Sequence, residues 1–322
     1  MDGSIATIGF FDGVHRGHQF VIGCLVAEAR RRGLQAVVVT FDEHPRKVLS
    51  TSKPTNEAPL QPSPVMREKY LLTKRDEVRK LILDAGADRC EVLHFDRSMA
   101  GMPAREFMKT VLKEQLGIKV LMMGYDNRFG HRESGSTEGF DDYVRYGQEL
   151  GIEVKAMPAM GEGISSSAVR HALRDGNVSL AAQMLGRPYS IAGRVVHGYE
   201  EGHRLGFPTA NIDPASVATM IPATGVYAVE VRTLAADSGR EGEGRMGMMN
   251  IGTRPTYGLH DLSLEVHILD FDGDLYGSQL KVTFLQRIRE ERTFASAEEL
   301  RQQLEADREA VIEWKRIKKI EI

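Results

Sequence analysis

The sequence predicts two domains of different class, an α/β domain built on a parallel sheet followed by a mainly-β domain. Three observations carry this. Within the first forty or so residues a short apolar run, Ile5–Ile8, is followed by a helix-patterned stretch and then by a continuous apolar run, Ala36–Phe41. Strand, helix, strand at that spacing is a βαβ unit, and its crossover implies parallel strands. After Gly186 long helical patterns give way to short β-type runs punctuated by glycine, as in a barrel or sandwich. A chain of 322 residues is also long for a single core.

Taken in order, Ile5–Ile8 is the first strand, and Gly9 and Gly13 give the turn after it the freedom to bend sharply or admit a ligand. Phe20–Arg32 has apolar residues at helical spacing and a basic last turn before Gly33, a good stop signal. Ala36–Phe41 reads as a strand covered on both faces. Ser50–Pro64, rich in Pro, Ser and Thr, reads as a loop. Helix is expected over Arg67–Asp84, Pro103–Leu116 and Gly139–Leu150, and strand over Cys90–Phe95, Val120–Met123 and Glu153–Met157. In the second half strands are expected at Ser190–His197, Val226–Leu234, Arg245–Asn250, Leu262–Leu269 and Gln279–Ile288, with a further one entered at Thr209–Ile212. Ala235–Gly244 is a charged hairpin loop, and Ser296–Ile317 a closing helix with the stripe Leu300, Leu304, Val311. Arg187-Pro188 marks the domain boundary, because proline cannot continue a helix.

Composition narrows the function. Charged residues make up 27% and hydrophobic ones 42%, ordinary for a globular protein, and the net charge of −3 argues against a nucleic-acid binder relying on a broad basic face. Cys24 and Cys90 form no CxxC pair and read as small buried hydrophobes. No signal peptide or membrane-length apolar run is seen, so a cytoplasmic address without a membrane partner is expected. Self-association is left open.

Three groups of residues carry the chemistry of the first domain. In GFFDGVHRGHQ, His15 and His18 stand three apart where a helix begins, and free N–H groups with the positive end of a helix dipole favour phosphate. Two imidazoles there add donors for charge developing on phosphorus; a surface pair or half a metal site is the plainer alternative. GYDNRFG follows another short strand, and Asp126 with Arg128 is either a site lining or an exposed turn pair. ISSSAVRHAL begins a helix with three serines, of which helix capping needs one.

GFFDGVHRGHQ resembles the G-x-F-D-G-x-H-x-G-H signature of the bacterial bifunctional riboflavin kinase/FMN adenylyltransferase family. Five further segments resemble that family in its order: FDEHP, GYDNRFG, ISSSAVR, the GYEEGHRLGFPTANI stretch, and NIGTRPTYG followed by the alternating SLEVHIL. The resemblance implies a Rossmann-like nucleotidyltransferase domain over residues 1–186 and a six-stranded Greek-key barrel with a C-terminal helix, the riboflavin kinase domain, over 187–322. It implies two ATP-dependent reactions, riboflavin to FMN in the barrel and FMN to FAD in the first domain, with Mg²⁺ as cofactor. For adenylylation it assigns His15, His18 and Arg170 to catalysis, and Gly9, Phe11, Asp12, Gly13, His44, Asp126, Asn127, Arg128, Ser165, Ser166 and Ser167 to ATP and flavin. For the kinase it assigns Glu265 as general base and Gly198, Gly202, His203, Gly206, Phe207, Pro208, Thr209, Asn211, Asn250, Arg254 and Thr256 to ATP and flavin, Thr209 and Asn211 also facing the metal.

Departures from the family pattern are Asn127 for an aromatic, Ser167 for threonine, His203 for arginine, and a first strand that starts almost at Met1. They keep open an enzyme with only one active half. A non-catalytic flavin- or nucleic-acid-binding regulator is the alternative of another class. Barrel strands that bind RNA interleave aromatic with basic residues, and these do not. DFDGDLYG reads as a hairpin turn, since it lacks the twelve-residue calcium-loop pattern.

Overall fold

The computed structural model describes residues 3–43, 70–124, 129–131, 138–158, 163–198, 202, 205–235, 239–256 and 259–320, with backbone alone at 254–256, 259–261 and 318–320. His44, Asp126, Asn127, Arg128, His203 and the Ser50–Pro64 loop lie outside the described residues. The chain packs as two compact units, residues 1–59 with 73–164, and residues 60–72 with 165–322.

The first unit holds a five-stranded parallel sheet in the order β3-β2-β1-β4-β5. Its strands are β1 (Ser4–Ile8), β2 (Gln35–Phe41), β3 (Arg89–Leu93), β4 (Ile118–Met123) and β5 (Glu153–Ala156). Alternation sends Ile5, Ala36, Val38, Val120 and Met122 to one face, against α1 (Arg16–Arg32) and α2 (Arg75–Asp84). Ala6, Ile8, Val37, Val39, Leu121 and Met123 go to the other, against α3 (Arg97–Gly101), α4 (Ala104–Phe107) and α5 (Phe140–Leu150). A sheet covered on both faces needs apolar residues at every strand position, which is why the strands read as unbroken apolar runs.

Two helices depart from expectation. Tyr70–Lys74 is not helical, so α2 starts at Arg75 rather than Arg67. The Pro103–Leu116 helix is α-helical only over α4 and runs on as a wider π-helix, Met108–Gln115. Periodicity cannot separate the two, because Met108, Val111 and Leu112 still fall on one buried face.

In the second unit α6 (Ser166–Arg174) and α7 (Val178–Leu185) precede a closed antiparallel barrel of six strands in the order β10-β7-β6-β11-β8-β9. These are β6 (Ser190–Val196), β7 (Ala210–Ile212), β8 (Gly225–Leu234), β9 (Arg245–Thr256), β10 (Leu259–Ile268) and β11 (Gln279–Arg289). β9 and β10 extend past the expected Asn250 and Leu262, pairing as far as Thr256 with Leu259. Leu264, Val266 and Ile268 are buried inside the barrel wall. The opposite face of the wall carries Val226, Ala228 and Met248, which pack with Phe207 against Leu304 and Val311 of α8 (Ala297–Ile320). The stripe predicted on that helix covers this outer wall.

Candidate active sites

In the first unit the strand order reverses at β1, the switch point where open α/β sheets bind ligands at their C-terminal edge. The chain leaves β1 through a contorted turn: Phe11, Gly13 and Val14 have φ of 49°, 85° and 37°. Positive φ in the β-branched Val14 is strained, and such strain gathers at functional sites. His15 then caps α1. Its Nδ1 accepts the N–H of His18 at 3.3 Å, so in the neutral ring the proton sits on Nε2. The two imidazoles stack at 3.7 Å, and Phe11 meets His18 edge-on at 5.1 Å. Gly17 is required here, since a Cβ would lie 3.0 Å from the His15 ring.

Burial, with the neighbouring His15, holds the His18 pKa well below the usual imidazole range, so His18 is a neutral ring at neutral pH. Asp12 is buried beneath the turn. Arg75, a residue the sequence did not single out, lies over the Phe10 ring at 3.7 Å and donates to the Phe10 carbonyl at 3.5 Å. Thr40 Oγ1 donates to the same oxygen at 3.2 Å. The turn can present N–H groups and a directed Nε2–H, the equipment for an oxyanion on phosphorus.

The serine-rich helix start belongs to the second unit. Ser165 caps α6, its hydroxyl accepting from Ala168 N–H at 3.1 Å, while Ser166 and Ser167 fill the first turn. Arg170 is buried, stacked on Tyr70 at 3.7 Å with Nε donating to the Tyr70 carbonyl at 2.9 Å.

On the barrel, register aligns Asn211, Glu265 and Asn250 as direct neighbours across β7, β10 and β9, all on the outward face. A cleft of about 240 Å³ lies over this row. Gly202, Phe207, Thr209, Asn250 and Glu265 line it, together with His267, Arg289, Glu291, Phe294, Leu300 and Leu304, which the sequence did not single out as site residues. The loop before β7 closes on itself, with Phe207 N–H donating to the Gly202 carbonyl at 2.8 Å and Gly206 at φ 82°. A Cβ at Gly202 would overlap the Phe207 carbonyl, and one at Gly198 would overlap the Asn211 amide.

His267 Nδ1 is 2.7 Å from the Pro208 carbonyl, and burial lowers its pKa. Glu291 Oε1 accepts from Thr253 N–H at 3.2 Å, pinning β9 beside the cleft. Arg289 makes a bidentate pair with Asp307 at 2.8–3.0 Å. A second cleft of about 420 Å³ shares Thr209 with the first and is lined by Pro208, Phe271, Asp272, Gly273, Asp274 and Tyr276. The DFDGDLYG segment is thus a turn that also walls a cleft. Only the coming together of β7 and the β10–β11 connection reveals this. Of the remaining predicted residues, Arg254 and Thr256 are described only as backbone at the end of β9.

A strained strand-to-helix turn at a sheet's switch point and a carboxylate-bearing cleft on a barrel wall are the two candidate sites. The sequence model of the FAD synthetase family matches residues 1–168, and that of the riboflavin kinase family matches 185–315. Relatives described as bifunctional riboflavin kinase/FMN adenylyltransferase include one from Escherichia coli (strain K12), 39% identical over 95% of this chain and 91% of its own, and one from Bacillus subtilis (strain 168), 33% identical over 97% and 92%. A crystal structure described as a macrolide-efflux protein from Streptococcus pneumoniae superposes with a TM-score of 0.80 at 30% identity, covering 97% of this chain and 95% of that one. Among the described residues no helix is long and apolar enough to cross a membrane. The chain belongs to the bifunctional riboflavin kinase/FMN adenylyltransferase family, and makes FMN from riboflavin and FAD from FMN.

Proposed function

We propose that the two reactions divide at about residue 186, the kinase using the clefts on the barrel and the adenylyltransferase using the β1–α1 turn. The carrying observation is the row Asn211–Glu265–Asn250, with Thr209 at the junction of two clefts. Phe207, Val226, Met248, Phe294, Leu300 and Leu304 give the first cleft flat apolar walls suited to the isoalloxazine ring. ATP occupies the second, so that its γ-phosphate meets the ribityl chain at Thr209. Glu265 takes the proton of the terminal hydroxyl, the freed oxygen attacks the γ-phosphorus, and ADP leaves.

Thr209 and Asn211 offer hard oxygen donors suited to Mg²⁺, and glycine at 198 and 202 lets the backbone pack directly against the Asn211 amide and the Phe207 carbonyl. Thr209 and Asn211 would hold the ion together with the nucleotide's phosphates. Bound there, the ion would neutralise charge on the phosphates.

In adenylylation the FMN phosphate is already a nucleophile and needs no base. It attacks the α-phosphorus of ATP and pyrophosphate leaves. His15 through Nε2–H, the first N–H groups of α1 and neutral His18 hold and orient the triphosphate; this is positioning and charge stabilisation. The free thiols Cys24 and Cys90, the latter pushed up to about 11 by burial, fit a reducing cytoplasm. Incubation with riboflavin, Mg²⁺ and ATP followed by chromatography tests the reading. FMN plus FAD is expected, whereas FMN alone leaves only the kinase half active, and unchanged riboflavin together with no FAD from supplied FMN refutes both.

A further inference from the structure

Arg75 opens α2 in the same compact unit as the β1–α1 turn, and its own bonding is incomplete. The residue is half-buried, with its guanidinium carbon 3.7 Å from the centre of the Phe10 ring. Nη1 reaches the Phe10 carbonyl at 3.5 Å, while Nε and Nη2 are enclosed without a hydrogen-bond partner. Burial draws its pKa below the ordinary arginine value, against the pull of Asp12, Glu43 and Asp42. Among the described residues five enclosed side-chain nitrogen or oxygen atoms lack a partner, and three of them belong to Arg75 and His18. Enclosed, unmet donors on a charged group are costly, so stability alone does not explain an arginine here.

What the guanidinium holds is the way out of β1. Gly9 N–H donates to the Val39 carbonyl at 3.1 Å, tying the chain to β2. Phe10 follows, and Phe11 already has φ 49°. A peptide unit is planar, so the Phe10 carbonyl and the Phe11 N–H turn together. Whatever fixes that carbonyl also fixes the plane from which the positive φ of Phe11 starts. Two side chains do so: Thr40 Oγ1 of β2 donates to it at 3.2 Å and Arg75 Nη1 of α2 at 3.5 Å, the guanidinium stacked on the Phe10 ring. Strain of the kind stored at Phe11 and Val14 persists only where the surroundings over-determine it. Val14 N–H then closes on the Phe11 carbonyl at 3.0 Å, and His15 caps α1.

We infer that Arg75 is a positioning residue for FMN adenylylation: by holding the Phe10 ring and carbonyl it sets the β1–α1 turn that presents His15 and His18. The inference rests on the assignment of that turn to the triphosphate. With Nε and Nη2 closed off and Nη1 on the carbonyl, Arg75 acts through Phe10 and not on the substrate itself. Unmet donors and backbone strain fall together here, as they do where stability is given up for a preorganised site. A displacement of about 1 Å in groups that orient a substrate costs on the order of 10²-fold.

The test uses the full chain carrying Arg75→Met, which keeps an apolar stem against Phe10 and removes the charge with its unmet donors. Arg75→Lys, Thr40→Val, the Arg75→Met/Thr40→Val double variant and His18→Ala are measured beside it. FAD formation from FMN is followed against ATP concentration, and riboflavin phosphorylation in parallel, well below each melting temperature. Arg75→Met is expected to melt no lower than wild type, to phosphorylate riboflavin normally, and to lose at least about tenfold in kcat/KM for adenylylation. Arg75→Lys should recover part of that loss, because an ammonium can still lie over the Phe10 ring and donate to its carbonyl. In the double variant the two losses should not multiply, because both donors meet one carbonyl. Losses that simply multiply would show that Arg75 does not act through Phe10, and would overturn the proposal. If His18→Ala loses adenylylation while Arg75→Met keeps wild-type constants, the positioning role is wrong and the reading of the turn stands. If His18→Ala is itself unaffected, that reading fails and the inference falls with it. A lowered melting temperature in Arg75→Met, with both activities falling in step, would make Arg75 a structural staple only and overturn the proposal.

Discussion

Replacing Glu265 by glutamine tests the kinase site most directly. The residue is half-buried on the outward barrel wall, flanked across the strands by Asn211 and Asn250. Glutamine keeps its size and one carbonyl oxygen, so folding stability should change by no more than about 0.5 kcal/mol. The lost function is proton abstraction. General-base removal slows reactions about 10²–10⁴-fold, equivalent to about 2.7–5.4 kcal/mol of transition-state stabilisation. Riboflavin phosphorylation should drop by that factor, mainly in kcat, while FAD formation from supplied FMN is unchanged. Steady-state assays with riboflavin and with FMN as separate substrates read the two. Glu291 is a built-in control, since it lines the same cleft but has Oε1 engaged with Thr253 N–H. Near-normal phosphorylation in Glu265→Gln, with collapse in Glu291→Gln, would show that the base was assigned to the wrong carboxylate.

Other expectations follow from the same geometry. His18→Ala should lower adenylylation by roughly 10²–10³, the cost of a lost transition-state donor, and leave FMN production intact; an unchanged rate would remove His18 from the site. His18 and His267 both have folded pKa values below the ordinary imidazole value, so folding favours their neutral rings. Their stabilising contribution is therefore full above about pH 6.5 and is lost as pH falls through that range. Denaturant unfolding at pH 7.5 and pH 5 should show this, with a shallower dependence in His18→Gln; an equal dependence in wild type and variant would refute it. Asp307→Ala removes a carboxylate that is only 1% exposed and leaves the Arg289 guanidinium without that partner, and should destabilise the barrel by about 3–5 kcal/mol in calorimetry. Gly147→Ala should reverse the usual helix preference of about 1 kcal/mol for alanine, because a Cβ there overlaps the Ile152 carbonyl and comes within 2.7 Å of Val154. A raised melting temperature would contradict that packing.

Much of this protein is legible in its residues alone. Apolar runs of strand length, helical stripes such as Leu300–Leu304–Val311, and glycine spacing were enough to divide the chain into a parallel α/β half and a barrel half. Local chemistry singled out His15, and resemblance to family motifs singled out Thr209 and Glu265, because a motif written in contiguous residues survives without a fold. The sequence could not show that Arg170 would be buried on Tyr70, that Glu291 and Arg289 would come to stand beside Glu265, or that the turn at Phe271–Tyr276 would wall a cleft shared with Thr209. Each depends on pairings between segments far apart in the chain, and strand register is set by closure of the barrel as a whole rather than by any one strand. The same holds for α6, whose three serines stand together in the sequence. Its attachment to the barrel through Gly176 and Arg287 exists only in three dimensions, because a glycine and an arginine more than a hundred residues apart carry no local signal that they touch.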